Sequence, residues 1–204
     1  MDFEWTTKQR EARDRVAVYL DEAERARLRS AEDEDAAGRR EITLHVQRRL
    51  VEAGALGISA TTSSEKATLS RLAVDLELAR TSAAFLLAVQ ATRQFAGLVA
   101  EHGSERLLAE VLGPLHAGER IGAVALPDPG GSADGTPVAT LQEDGSWRIR
   151  GKRSWVANAP IADRLAVFVA DGARTLIAIV RRDQPGVRVG KRLRLVGLDG
   201  LVTS

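Results

Sequence analysis

Apolar residues recur three or four positions apart from residue 7 to about 120, and from residue 121 they alternate, so helices followed by strands are predicted. The first helix is predicted to start after Thr6 or Thr7 and to run through Val16, Tyr19 or Leu20, Ala23 and Ala26. A second places Ile42, Val46 and Leu50 on one face and stops where Gly54 can take the left-handed backbone. Ser64 before Glu65 suits an N-cap, and the apolar stretch from Leu69 to Val99 implies one long or two consecutive helices, with Phe85, Leu86, Val89 and Phe95 buried. Gly103 closes that stretch, and Ser104 caps a short helix that packs through Leu107, Leu108, Val111 and Leu112.

Beyond residue 121 the period is two. Ile121 to Leu126 reads as a strand, and Asp144-Gly145 is a tight turn ahead of the alternating Trp147 and Ile149. Leu165 to Ala170 and Thr175 to Val180 are near-continuous apolar runs joined at Asp171-Gly172. Pro185-Gly186 is a further turn before Val187 and Val189, and Val202 to Ser204 begins a last strand. The class is therefore α+β: an all-helical N-terminal domain at 1–120, then a small barrel or sandwich at 121–204, with about six or seven short strands.

Composition narrows the chemistry. With no cysteine among 204 residues, a disulfide scaffold, a thiolate nucleophile and Cys-ligated metals are excluded. Lys and Arg number 29 against 28 Asp and Glu, a net charge of +1, so no field favours nucleic acid or an anionic membrane. No apolar run is expected to reach the roughly 20 residues that span a bilayer, and the charged first twenty residues hold no signal-peptide core, so a cytoplasmic location is expected. His45, His102 and His116 lack metal-ligand spacing and read as packing, surface or capping residues; no metal site is expected. The run Glu32 to Asp35 reads as a solvated helix face or a connection between helices.

Two segments differ from this background. Leu126-Pro127-Asp128-Pro129-Gly130-Gly131-Ser132 follows a strand and concentrates turn formers, so that main-chain N–H groups and one hydroxyl can approach an anionic or planar ligand. Alone it also reads as a plain surface turn. Gly151-Lys152-Arg153-Ser154-Trp155-Val156-Ala157-Asn158-Ala159 sets an indole in a strand-like segment, which reads as core or as a platform for a flat heteroaromatic ring.

Taken together these segments resemble the acyl-CoA dehydrogenases. GSERLLAEVLGPLHAGER at 103–120 is similar to that family's helical-domain pattern, PDPGGSA at 127–133 to its flavin loop with one residue fewer, and GKRSWVANAPIAD at 151–163 to its Trp-Ile-Thr-Asn motif. Pro185-Gly186-Val187 falls at a family turn, and the likeness covers essentially the whole chain. It implies an all-helical N-terminal domain followed by a small antiparallel β-barrel domain, FAD as cofactor, an acyl thioester on coenzyme A or a carrier protein as substrate, and α,β-dehydrogenation to an unspecified electron acceptor. By position, Leu126 and Pro127 would flank the flavin pyrimidine edge, Gly131 and Ser132 would meet cofactor phosphate and substrate, and Trp155, Val156 and Ala157 would back the ring.

The departures fall on the same contacts. Pro127 and Ala157 stand where the family has threonines, Asp199 replaces an arginine, and Ala60 to Ser64 replace a glycine-rich approach. No stretch of these 204 residues resembles the family's C-terminal helical domain, which carries the catalytic carboxylate, so no catalytic residue is assigned and completion by such a domain or a partner chain is expected. An apolar face left uncovered would favour a homo- or hetero-oligomer. The alternatives are a non-catalytic relative that acts as a binding or assembly subunit, and a flavin monooxygenase on the same fold.

Overall fold

The computed structural model describes residues 4–30, 34–57, 65–127, 135–172, 174–198 and 200–204. Among them lie six helices, α1 (Thr7–Tyr19), α2 (Glu22–Ser30), α3 (Ala36–Glu52), α4 (Glu65–Thr81), α5 (Ala83–His102) and α6 (Glu105–His116). Five strands follow: β1 (Gly122–Ala125), β2 (Val138–Leu141), β3 (Trp147–Arg150), β4 (Arg164–Asp171) and β5 (Arg174–Arg181). Helices followed by a β-sheet domain is the order expected from the sequence.

Local chemistry sets the helix ends. Thr6 and Gln9 form a reciprocal capping box at α1, and Ser82 and Ser104 accept the N–H groups of Phe85 and Leu107 to start α5 and α6. Gly54 takes φ 64° just past α3, where Ala55 and Leu56 both donate to the Leu50 carbonyl. One expected helix is two, because α1 ends at Tyr19 and Asp21 accepts the Glu24 N–H to start α2. The predicted cap Ser64 lies outside the described residues.

The strand pairing corrects the antiparallel expectation. β4 pairs antiparallel with β5 along its full length, but its other edge carries β1 and then β2, both parallel to it, with β3 antiparallel outside β2. β1 and β4 are not hairpin neighbours: the β2–β3 hairpin lies between them in sequence, and a long crossover lets them run the same way. Among the described residues Val187 and Val189 form no strand, and the chain end makes isolated bridges, Thr203 pairing with Ala157 on one side and Leu193 on the other.

Helix α5 joins the two parts. Its first half packs Phe85 and Val89 into the helical core, while Phe95, Ala96 and Val99 meet Val111 and Leu115 of α6, Val124 of β1 and Ala166 of β4. A Cβ at Gly122 would stand 2.5 Å from the Phe95 ring, so glycine lets strand and helix meet this closely. Contrary to the expected absence of any membrane-length apolar run, α5 is long and apolar enough to cross a bilayer, with a mean hydropathy of 1.3 over its most apolar window. Its place in the core accounts for that character, since 56% of the window is buried inside the fold.

Candidate functional site

The segment from Trp155 to Asn158 is shaped by two left-handed residues. Trp155 has φ 61° and Asn158 φ 66°, the two positive values outside glycine among the described residues. Asparagine tolerates this conformation, whereas for a bulky residue it is a true outlier that stores about 1–3 kcal/mol. Its effect at Trp155 is to turn the indole outward, 67% exposed, while Val156 enters the sheet core at 5%. The alternative reading of Trp155 as a core residue is thereby corrected.

Pairing with the chain end leaves the other edge of this segment without a main-chain partner among the described residues. Val156 and Ser204 exchange both main-chain hydrogen bonds, and Asn158 N–H donates to the Val202 carbonyl at 2.7 Å. Ala157 therefore sits opposite Thr203 in a non-hydrogen-bonded pair, with its own N–H and C=O turned away from that partner. Its methyl packs with Ala84 and Ala88 of α5 and with Leu201.

Trp155 and Val156 line a groove of about 1090 Å³ whose floor includes Ala125, Leu165, Val167 and Val180 and whose rim carries Trp147, Arg148 and Lys152. Leu126 and Pro127 leave β1 directly after Ala125 and are exposed, Leu126 by 54%. Of the residues predicted for a site, Trp155 and Val156 thus share one groove, Leu126 and Pro127 adjoin a residue of its floor, and Ala157 presents main chain beside them. Gly131 and Ser132 lie outside the described residues, as do Asp199 and Ala60 to Ser64. On the rim, the Ser146 hydroxyl and N–H hold the Asp144 carboxyl below its ordinary pKa.

Behind the segment lies a buried network that sequence reasoning missed. Asn158 Nδ2 donates to the Ala88 carbonyl of α5 at 2.7 Å and to the Gly122 carbonyl of β1 at 3.2 Å. Thr92 Oγ1 closes the ring, accepting the Gly122 N–H and donating to the same Ala88 carbonyl, each at 3.4 Å. Both side chains are fully buried, and among the described residues Asn158 Oδ1 has no partner. An asparagine inside an otherwise apolar run was the available signal. On the other flank, Arg153 Nη2 donates to the Phe168 carbonyl of β4 at 2.9 Å.

Other candidates resolve as structure. His45 lies 2.9 Å from Glu24 and ties α3 to α2. Asp163, the last residue of the 151–163 motif, accepts from Arg40 of α3, from Arg120 and from the Ile121 N–H, each at 2.9 Å. Among the described residues no group of three or more His, Asp or Glu could hold a metal.

The family described as "Acyl-CoA dehydrogenase, middle domain" matches residues 123–204. The benzylmalonyl-CoA dehydrogenase of Aromatoleum aromaticum is 32% identical over 213 residues, covering 100% of this chain and 55% of that protein. Among solved structures, an acyl-CoA dehydrogenase complexed with FAD from Bacillus anthracis aligns with a TM-score of 0.81 at 19% identity, over 98% of this chain and 35% of that one. Butyryl-CoA dehydrogenase from Megasphaera elsdenii aligns at 0.74 and 23% identity, over 100% and 56%. The chain thus spans about half the length of the benzylmalonyl-CoA and butyryl-CoA dehydrogenases.

Proposed function

We propose that this chain, whose residues 123–204 match the acyl-CoA dehydrogenase middle domain, belongs to that family and forms the flavin-backing half of an FAD-dependent enzyme that dehydrogenates an acyl thioester. One observation carries the reading: an indole turned outward onto a groove by a left-handed backbone, beside main chain at Ala157 whose N–H meets no acceptor among the described residues.

The residues present fit a flat heteroaromatic ring. Trp155 offers a stacking face of the kind on which a planar ring gains about 1–3 kcal/mol, and Ala157 offers a main-chain donor where a threonine hydroxyl is missing. Leu126 would shield the ring's edge. Pro127 has no N–H to give, so each lost side-chain donor, there and at Ala157, weakens the hold by about 1–3 kcal/mol where the facing group stays dry. Gly131 and Ser132 are proposed to meet phosphate and substrate. When bound, FAD supplies the hydride acceptor for α,β-dehydrogenation. The protein's part in this half of the site is to orient the ring and to keep water from one of its faces.

Helix α4 exposes Leu69, Leu72 and Leu76 by 39%, 46% and 46%, three and four residues apart on one face. We infer that this stripe packs against a further helical domain or a second subunit, in keeping with an oligomeric assembly. FAD titration of the purified protein, followed by flavin fluorescence, tests the cofactor reading. Saturable quenching, weakened about tenfold or more in Trp155→Ala, is expected from a loss of about 1.4 kcal/mol or more. A flavin signal that the protein leaves unchanged would contradict it.

A further inference from the structure

We infer that Asn158 and Thr92 are positioning residues, which fix the Trp155–Ala157 wall against helix α5 and so set how that wall meets a bound ring. The inference rests on the flavin reading only for the identity of the ring; the positioning of the wall stands on geometry alone.

Beyond the packing of Val156 and Ala157, the segment has few polar anchors among the described residues. Toward the chain end it is held by hydrogen bonds to Val202 and Ser204, and Ser204 returns a weak one at 3.4 Å. Toward the helical part, Asn158 is the side chain that ties it down, by one amino group shared between carbonyls of two different elements. The amide satisfies two buried acceptors, while among the described residues its own Oδ1 meets no donor. An apolar residue there would strain the left-handed backbone that asparagine tolerates and would tie neither carbonyl.

What the arrangement achieves is register. The Ala88 carbonyl lies on the α5 turn that faces Ala157, and the Gly122 carbonyl opens β1, the strand that leads to Leu126. Thr92 links the same two points from within α5. Helix, strand and wall are thereby tied at one place, and the strain at Trp155 is sustained because both flanks are clamped, by Asn158 on one side and by Arg153 on the other. The left-handed φ at Asn158 lets the backbone and the clamp be tested separately. Glycine keeps the backbone free to adopt it while removing the amide with the rest of the side chain, whereas Asn158→Ala also strains the backbone.

The test uses protein in which Trp5→Phe and Trp147→Phe leave Trp155 as the one tryptophan, with Asn158→Gly and Thr92→Val made separately. Acrylamide quenching of Trp155 and the FAD dissociation constant are both read, and far-UV circular dichroism reports the fold. The expected result is a native-like dichroism spectrum, a changed Trp155 quenching constant in both variants, and FAD binding weakened about tenfold in Asn158→Gly, equivalent to about 1.4 kcal/mol. Variants that lose thermal stability while Trp155 quenching and FAD affinity stay at the parent values would overturn the inference and reduce both residues to core stabilisers. If the parent protein leaves FAD unbound yet Trp155 quenching shifts in both variants, the flavin reading fails and the positioning role stands. Should Asn158→Gly fail to fold, Thr92→Val decides by the same two readouts.

Discussion

Arg93 Nη1 lies 2.5 Å from Asp75 Oδ1, a nearly buried ion pair that ties α5 to α4. The same guanidinium donates to the carbonyls of Leu56 and Ala55, so the chain leaving α3 is held by one side chain. Removing one partner strands the other charge in the interior. Asp75→Ala is expected to lower unfolding free energy by about 3–5 kcal/mol in urea titrations, and the double change Arg93→Met with Asp75→Leu to recover much of it. A loss below about 1 kcal/mol for Asp75→Ala would show that the pair is not a staple.

At the seam between helices and sheet, Asp163 accepts from Arg40, Arg120 and the Ile121 N–H. These groups are only partly shielded, Asp163 being 20% exposed, so solvent screening reduces the ionic share. Asp163→Ala is expected to cost about 2–3 kcal/mol, chiefly through the unpaired Ile121 N–H and Arg40, and to lower the melting temperature by about 4–12 °C. Asp163→Asn, which keeps an acceptor for the N–H, is expected to lose less.

Gly122 faces the Phe95 ring with no room for a Cβ. Gly122→Ala is expected to destabilise by about 1–3 kcal/mol by overpacking, and Phe95→Leu in that background to recover part of the loss. Equal stability of Gly122→Ala and the parent would mean that α5 can move off β1.

The exposed leucines of α4 make association measurable. Light scattering of the purified protein is expected to report a species larger than 22.0 kDa, and Leu72→Glu with Leu76→Glu to shift it toward the monomer. A parent protein that is monomeric at high concentration would contradict the assembly reading.

Much of this architecture was legible because its signals are local. Thr6, Ser82, Ser104 and Gly54 each act on residues within one turn, and the change of period near residue 121 marks where helix gives way to strand. The break at Asp21 was hidden because the apolar period runs on through it. The parallel pairing of β1 with β4 was hidden because it depends on which edges meet after the β2–β3 hairpin has folded between them. At the candidate site the motif pointed to Trp155 and Val156, but which of them faces outward follows from a left-handed backbone for which tryptophan has no preference. Asn158 and Thr92 are linked through Ala88 of a helix and Gly122 of a strand, so no short window of sequence contains both.

The most direct measurement is amide chemical-shift mapping of isotopically labelled protein as FAD is added. The largest shifts are expected at the Trp155 indole N–H and main chain, at the Ala157 amide and at Leu126, with smaller ones along the groove. Shifts confined to the arginine-rich cavity around Arg40, Arg120 and Arg182, or none at Trp155 and Ala157, would contradict the flavin reading.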